Sequence, residues 1–103
     1  MKSSEVVPAL AALAQENRLD VFRLLVQAGP GGLSAGRIAE RLGIVAATLS
    51  FHLAQLRNAG LIQVRRDGRS LIYAADYRRM NALVAYLTEN CCGRDTVAQR
   101  RLR

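Results

Sequence analysis

The sequence predicts a mainly α-helical single domain with one β-hairpin, in the order α-α-α-α-β-β-α. Three observations carry this. Apolar residues recur at helical spacing in five separate stretches. Asp67-Gly68 stands between two β-prone runs, a strong short-range hairpin signal. The chain of 103 residues has the length of one domain.

The first helix is expected over residues 5–14, with Val6, Leu10, Leu13 and Ala14 on one face and Pro8 in the tolerant first turn. The second is expected over 18–28 behind Asn17 as N-cap, burying Leu19, Phe22, Leu25 and Val26. Gly29-Pro30-Gly31-Gly32 then breaks the chain. The third helix starts after Ser34, an N-cap residue, turns Ile38, Ala39 and Leu42 inward and stops at Gly43. The fourth is expected over 46–59, with Leu49, Leu53 and Leu56 as its buried stripe and Gly60 as its stop. Runs 61–65 and 70–74 form the hairpin strands, and Arg65, Arg66 and Arg69 load its tip. The last helix runs from its cap, Asp76, to about Asn90, with Tyr77, Met80, Leu83, Val84 and Leu87 as an apolar stripe. Residues 1–93 are read as the folded unit and 94–103 as a basic, mobile tail.

Composition narrows the function classes. Half the residues are apolar, which argues against disorder. Fifteen cations against eight acids give +7, and fourteen of the fifteen are Arg, the side chain suited to phosphate and guanine. Such a chain most often meets a polyanion, whereas the bland alternative is a basic surface that confers solubility. No apolar run is long enough for a membrane span, and residues 1–5 lack a signal-peptide pattern, so the expected compartment is the cytoplasm. There is no nucleophile-base-acid set, no Gly-rich phosphate loop and no Cys-x-x-Cys motif, so an enzyme is not expected.

The third helix, a tight turn at Gly43-Ile44-Val45 and the fourth helix have helix-turn-helix spacing. A basic hairpin follows at once, which makes the unit a winged helix-turn-helix. From Ser34 to Ser70 there are six Arg against two acids. Small Ala46 and Ala47 let the helix backbone come close to DNA, Thr48 and Ser50 can bond bases or phosphates, and a helix N-terminus attracts phosphate. The expected DNA contacts are Ser34, Arg37, Ala46, Ala47, Thr48, Ser50, His52, Gln55, Arg57, Arg65, Arg66 and Arg69. His52, the sole histidine, is read as a DNA contact or a packing residue rather than a metal ligand. Architectural binding without sequence preference is the competing class.

The stretch Thr48-Leu49-Ser50-Phe51-His52-Leu53-Ala54-Gln55-Leu56-Arg57-Asn58-Ala59-Gly60-Leu61-Ile62 resembles the recognition helix of the arsenic-repressor (ArsR/SmtB) family. The hairpin from Val64 to Tyr73, with Arg66, Asp67 and Gly68, is similar too, and the likeness spans roughly residues 5–93. It implies a homodimeric repressor, paired through its first and last helices, that binds an inverted-repeat operator and releases it when an inducer binds. The residues agree: apolar stripes on both helices need a cover, and a twofold pairing supplies one.

Cys91 and Cys92 are the only cysteines and are adjacent. A vicinal disulfide is strained, because neighbouring Cα atoms lie about 3.8 Å apart. Two adjacent thiolates can instead pinch one soft atom, or the pair can be two small residues at a helix end. The run Thr88-Glu89-Asn90-Cys91-Cys92-Gly93 resembles the C-terminal end of arsenic-responsive members. That resemblance implies Cys91 and Cys92 as the metal site, no permanent cofactor, and trivalent arsenic or antimony as inducer. Many relatives carry a further cysteine, which this chain lacks. A third position then falls to water, a small thiol or a carbon substituent, which admits methylated or aromatic arsenicals, or the site is shared across the dimer. The alternative is a redox or reactive-sulfur sensor.

Overall fold

The computed structural model describes residues 1–92; the expected tail, 94–103, lies outside the described residues. Five helices and a three-stranded antiparallel sheet follow in the order α1 (Ser3–Leu13), α2 (Glu16–Ala28), β1 (Leu33–Ser34), α3 (Ala35–Leu42), α4 (Ala46–Asn58), β2 (Ile62–Asp67), β3 (Ser70–Ala75) and α5 (Tyr77–Leu87). The predicted winged helix-turn-helix is present, with one more strand than expected.

Local chemistry sets the helix ends. Ser34 Oγ accepts from Arg37 N–H and Asp76 Oδ1 from Arg79 N–H, the N-caps expected of those residues. Gly43 closes α3 in the left-handed region. α2 starts earlier than expected: Gln15, not Asn17, caps it by accepting from Arg18 N–H at 2.9 Å. α1 also starts earlier, with Glu5 accepting from Lys2 N–H. That bond, assisted by Arg79, holds the Glu5 carboxyl below its ordinary range. The early start places Pro8 inside the helix, past the tolerant first turn, so the bond to the Ser4 carbonyl is missing on an exposed turn.

The core gathers between α2, α3 and α4. Val21, Leu25, Ile38, Leu49, Leu56 and Leu61 are its largest fully buried side chains, each stabilising by ~1.5–3 kcal/mol. α1 closes one side with Val6, Ala9 and Ala12, rather than the expected Leu10 and Ala14, which are exposed. Leu19 of α2 is exposed too, and Val21 takes its place in the core. Tyr77 Oη donates to the Val26 carbonyl at 3.0 Å, satisfying one of the orphan carbonyls at the end of α2 and tying α5 to it.

The sheet order is β1-β3-β2. Leu33 pairs with Tyr73 and Ser34 with Ile72, so the segment after the glycines joins the hairpin and attaches the wing to the base of α3. Gly32 makes that approach feasible. Its φ is +71°, and a Cβ there would fall on the Tyr73 carbonyl oxygen. At the hairpin tip Asp67 pairs with Ser70, and Gly68, at φ +65°, opens the two-residue turn.

His52 lies in the core-facing side of α4, 5% exposed. Arg18 links α1, α2 and α4: its Nε donates to the Ala12 carbonyl at 2.7 Å, and its Nη1 faces His52 Nδ1 at 3.5 Å. A guanidinium only donates, so Nδ1 accepts and the ring proton sits on Nε2. Burial, then the Arg18 charge, push the imidazole pKa down.

Two outcomes are expected. Gly32→Ala should destabilise by about 2 kcal/mol or more, a drop of order 10 °C in thermal midpoint, whereas Gly31→Ala, with open space around it and no positive φ, should stay within about 0.5 kcal/mol. Thermal melts at matched protein concentration check this. His52 is held neutral in the fold, so its contribution is full above its unfolded pKa of about 6.5 and is lost as pH falls through its lower folded value. The thermal midpoint should fall between pH 7 and pH 5.5 in the wild type and change less in His52→Gln.

Candidate nucleic-acid interface and thiol pair

α3 and α4 meet through the turn at Gly43-Ile44-Val45, where Ile44 N–H donates to the Ala39 carbonyl at 3.1 Å. Val45 caps α4 without a side-chain bond, and the first turn of α4 holds no acid. Its N-terminal N–H groups therefore keep their partial positive charge.

Burial sets the roll of α4. Leu49, His52, Leu53 and Leu56 point inward. At 100° per residue, the opposite midline is Ala47, Phe51, Ala54 and Asn58, all exposed. Among the expected contacts, Ala46, Ala47, Thr48, Ser50 and Arg57 are exposed around this face. His52 is not: the core takes it, and of its two readings only packing fits that place. Gln55 is half-buried and lines a groove with Pro8, Ala11, Ala12 and Arg18, on the side toward α1. Phe51 and Ala54 were absent from the expected set. Counting outward from the Leu49–Leu53–Leu56 stripe would have found them.

Exposed cations stand on the elements that precede and follow this helix in the chain. Arg66 and Arg69 are exposed on the wing. Arg65 is exposed too, and its Nη2 donates to the Gly31 carbonyl at 2.8 Å, bracing the wing against the loop before β1. Arg37 is exposed beside Glu40, with Nε 3.8 Å from Oε1, a solvent-screened pair of little energetic weight. Ser34 Oγ is engaged as the cap of α3. Arg41, at the end of α3, is a further exposed cation that the expected set omitted.

The thiols lie elsewhere. α5 ends at Leu87, not near Asn90, because the Thr88 hydroxyl bonds back to the Val84 carbonyl at 2.8 Å and Asn90 turns left-handed at φ +55°. Cys91 and Cys92 sit in the following turn, where Cys91 N–H donates to the Thr88 carbonyl. Their Sγ atoms are 3.1 Å apart with no disulfide. Cys91 is exposed and Cys92 half-buried. The hydrogen bond with Cys92, then its charge, raise the Cys91 thiol above the ordinary range. Among the described residues no cluster of three or more metal-ligating side chains forms. The same end of the molecule carries exposed Val84 and Leu87 on α5, and α1 exposes Val7 and Leu10. No helix among the described residues is long and apolar enough to cross a membrane.

A family model described as a helix-turn-helix domain matches residues 13–65. The chain is 31% identical over 90 residues to the transcriptional regulator YgaV of Escherichia coli, covering 87% of this chain and 89% of that protein. Among solved structures, an ArsR-like transcriptional regulator from Rhodococcus superposes with a TM-score of 0.78 at 26% identity, over 97% of this chain and 88% of that one. A homodimeric winged helix-turn-helix DNA-binding domain from Mycobacterium bovis superposes with a TM-score of 0.67 at 31% identity, over 84% and 81%. The matched domain, the reading helix and its Arg-bearing wing agree, and the chain belongs to the ArsR family of winged helix-turn-helix transcriptional regulators.

Proposed function

We propose that this protein is a cytoplasmic homodimeric repressor that binds an inverted-repeat operator and releases it when trivalent arsenic or antimony is captured by Cys91 and Cys92. The observation that carries the sensor half is the pair of sulfurs 3.1 Å apart. With bonds of ~2.3 Å, an atom held by both would subtend roughly 85°, narrower than a tetrahedral centre and suited to a pyramidal one with a lone pair. Two sulfurs per chain leave a third position for water, a small thiol or a carbon substituent, so methylated and aromatic arsenicals belong to the same inducer class.

Dimerisation through α1 and α5 is supported by their exposed Val7, Leu10, Val84 and Leu87 and by the homodimeric relative. The thiol turn directly follows α5, so a ligand that reshapes it acts beside the subunit contact and alters the separation of the two reading heads. Coupling of ~1–3 kcal/mol between the sites would weaken DNA binding about 5–150-fold.

A second reading keeps the DNA binding and changes the signal: the thiol pair senses oxidants or reactive sulfur. It is supported by the exposure of Cys91 beside the sulfur of Cys92. The closeness of the two sulfurs suits both readings.

Fluorescence anisotropy on the DNA upstream of the protein's own gene separates them. Under reducing conditions arsenite, antimonite or methylarsenite should lower wild-type affinity at least fivefold and leave Cys91→Ser/Cys92→Ser unchanged. Release by oxidant or persulfide alone selects the second reading. Arsenite release that persists in the double serine variant defeats the metalloid one. On the same DNA, Arg66→Ala/Arg69→Ala should weaken binding across all sequences and flatten the salt dependence by about one unit for each phosphate no longer neutralised.

A further inference from the structure

We infer that Phe51 reads thymine 5-methyl groups in the major groove, so that the operator half-site is specified by thymines placed under the middle of α4. The inference rests on the operator-binding reading above. It begins with a side chain that the fold does not use. Phe51 is 57% exposed although it is the largest apolar residue of α4, and burial of Leu49, His52, Leu53 and Leu56 turns it to the outward midline. Its ring meets the buried His52 ring edge-on, with centroids 5.8 Å apart at 62°, so a core residue steadies it.

The chemistry of its neighbours narrows what it can meet. The half of α4 that enters a groove, Ala46 to Leu53, contains no Arg, Lys, Asn or Gln. It therefore lacks the bidentate readers of guanine and adenine. Thr48 and Ser50 offer only hydroxyls, which serve several bases. Ala47 and Ala54, one turn to either side of Phe51, leave its ring standing proud of the surface. On the major-groove edge of unmodified DNA, the apolar group is the thymine methyl. The exposed cations of α3 (Arg37, Arg41), of the last turn of α4 (Arg57) and of the wing (Arg66, Arg69) suit the phosphates on either side of such a contact.

The test uses the full-length protein. Bound sequences are selected from a random double-stranded pool, and thymines in the enriched site are then replaced one at a time by deoxyuridine, which removes only the methyl. Anisotropy should show a three- to fivefold loss of affinity at one or two central positions, the factor expected for one buried methyl. Phe51→Ala, with thermal melts showing the fold intact, should bind the enriched site more weakly and become indifferent to those replacements. If an enriched site tolerates every deoxyuridine, or if Phe51→Ala keeps the wild-type sensitivity, this inference is overturned and operator binding stands. If no sequence is enriched, the operator reading fails, and this inference with it.

Discussion

The roll of α4 about its own axis governs the rest of the molecule's chemistry. Four inward residues, Leu49, His52, Leu53 and Leu56, lock that roll against a core containing Leu25 and Ile38. With 3.6 residues per turn, a helix that commits one face commits the other. The outward set of Ala47, Phe51 and Ala54 is thus a by-product of core packing. A shift of a single position would exchange the phenyl ring for a serine or a buried imidazole. Arg18 reinforces the roll from outside the apolar core, bonding the end of α1 while it faces His52.

Signals confined to a few neighbouring residues were legible in the sequence. Ser34 and Asp76 cap helices because their short oxygens reach an N–H three residues ahead, and Asp67-Gly68 makes a hairpin because glycine accepts a positive φ. What escaped depends on distant partners. β1 is two residues long and exists because Tyr73 and Ile72 lie beside it, so no periodicity could announce it. Asn17 is the better intrinsic cap, yet α2 begins earlier and Gln15 accepts from Arg18 N–H, which local propensity does not announce. His52 and Gln55 read as outward because uncharged polar side chains usually face water, yet neither lies on the exposed midline of α4. The histidine instead finds its polar partner inside, in Arg18.

The reading head and the thiol turn occupy different mechanical settings. The reading head has strands, caps and a packed core beneath it. The thiols sit in a turn held by backbone bonds at Thr88 and by two left-handed residues, Asn90 and Cys92. For a non-glycine residue that region costs roughly 1–2 kcal/mol. Such a segment rearranges for little added energy, whereas the head does not.

Asp76 is where these settings meet. One carboxylate oxygen caps α5, and the other accepts from Gln63 Nε2 at 3.0 Å, on the strand that rises into the wing. α5 is thus anchored at its foot, and the thiol turn follows its far end. Its eleven residues make an arm of about 16 Å. A tilt of ~10° about the foot carries the tip about 3 Å but moves Gln63 by a fraction of an ångström, within the tolerance of a hydrogen bond. The arm is geared toward its tip: a displacement is large there, while the wing above the foot stays still.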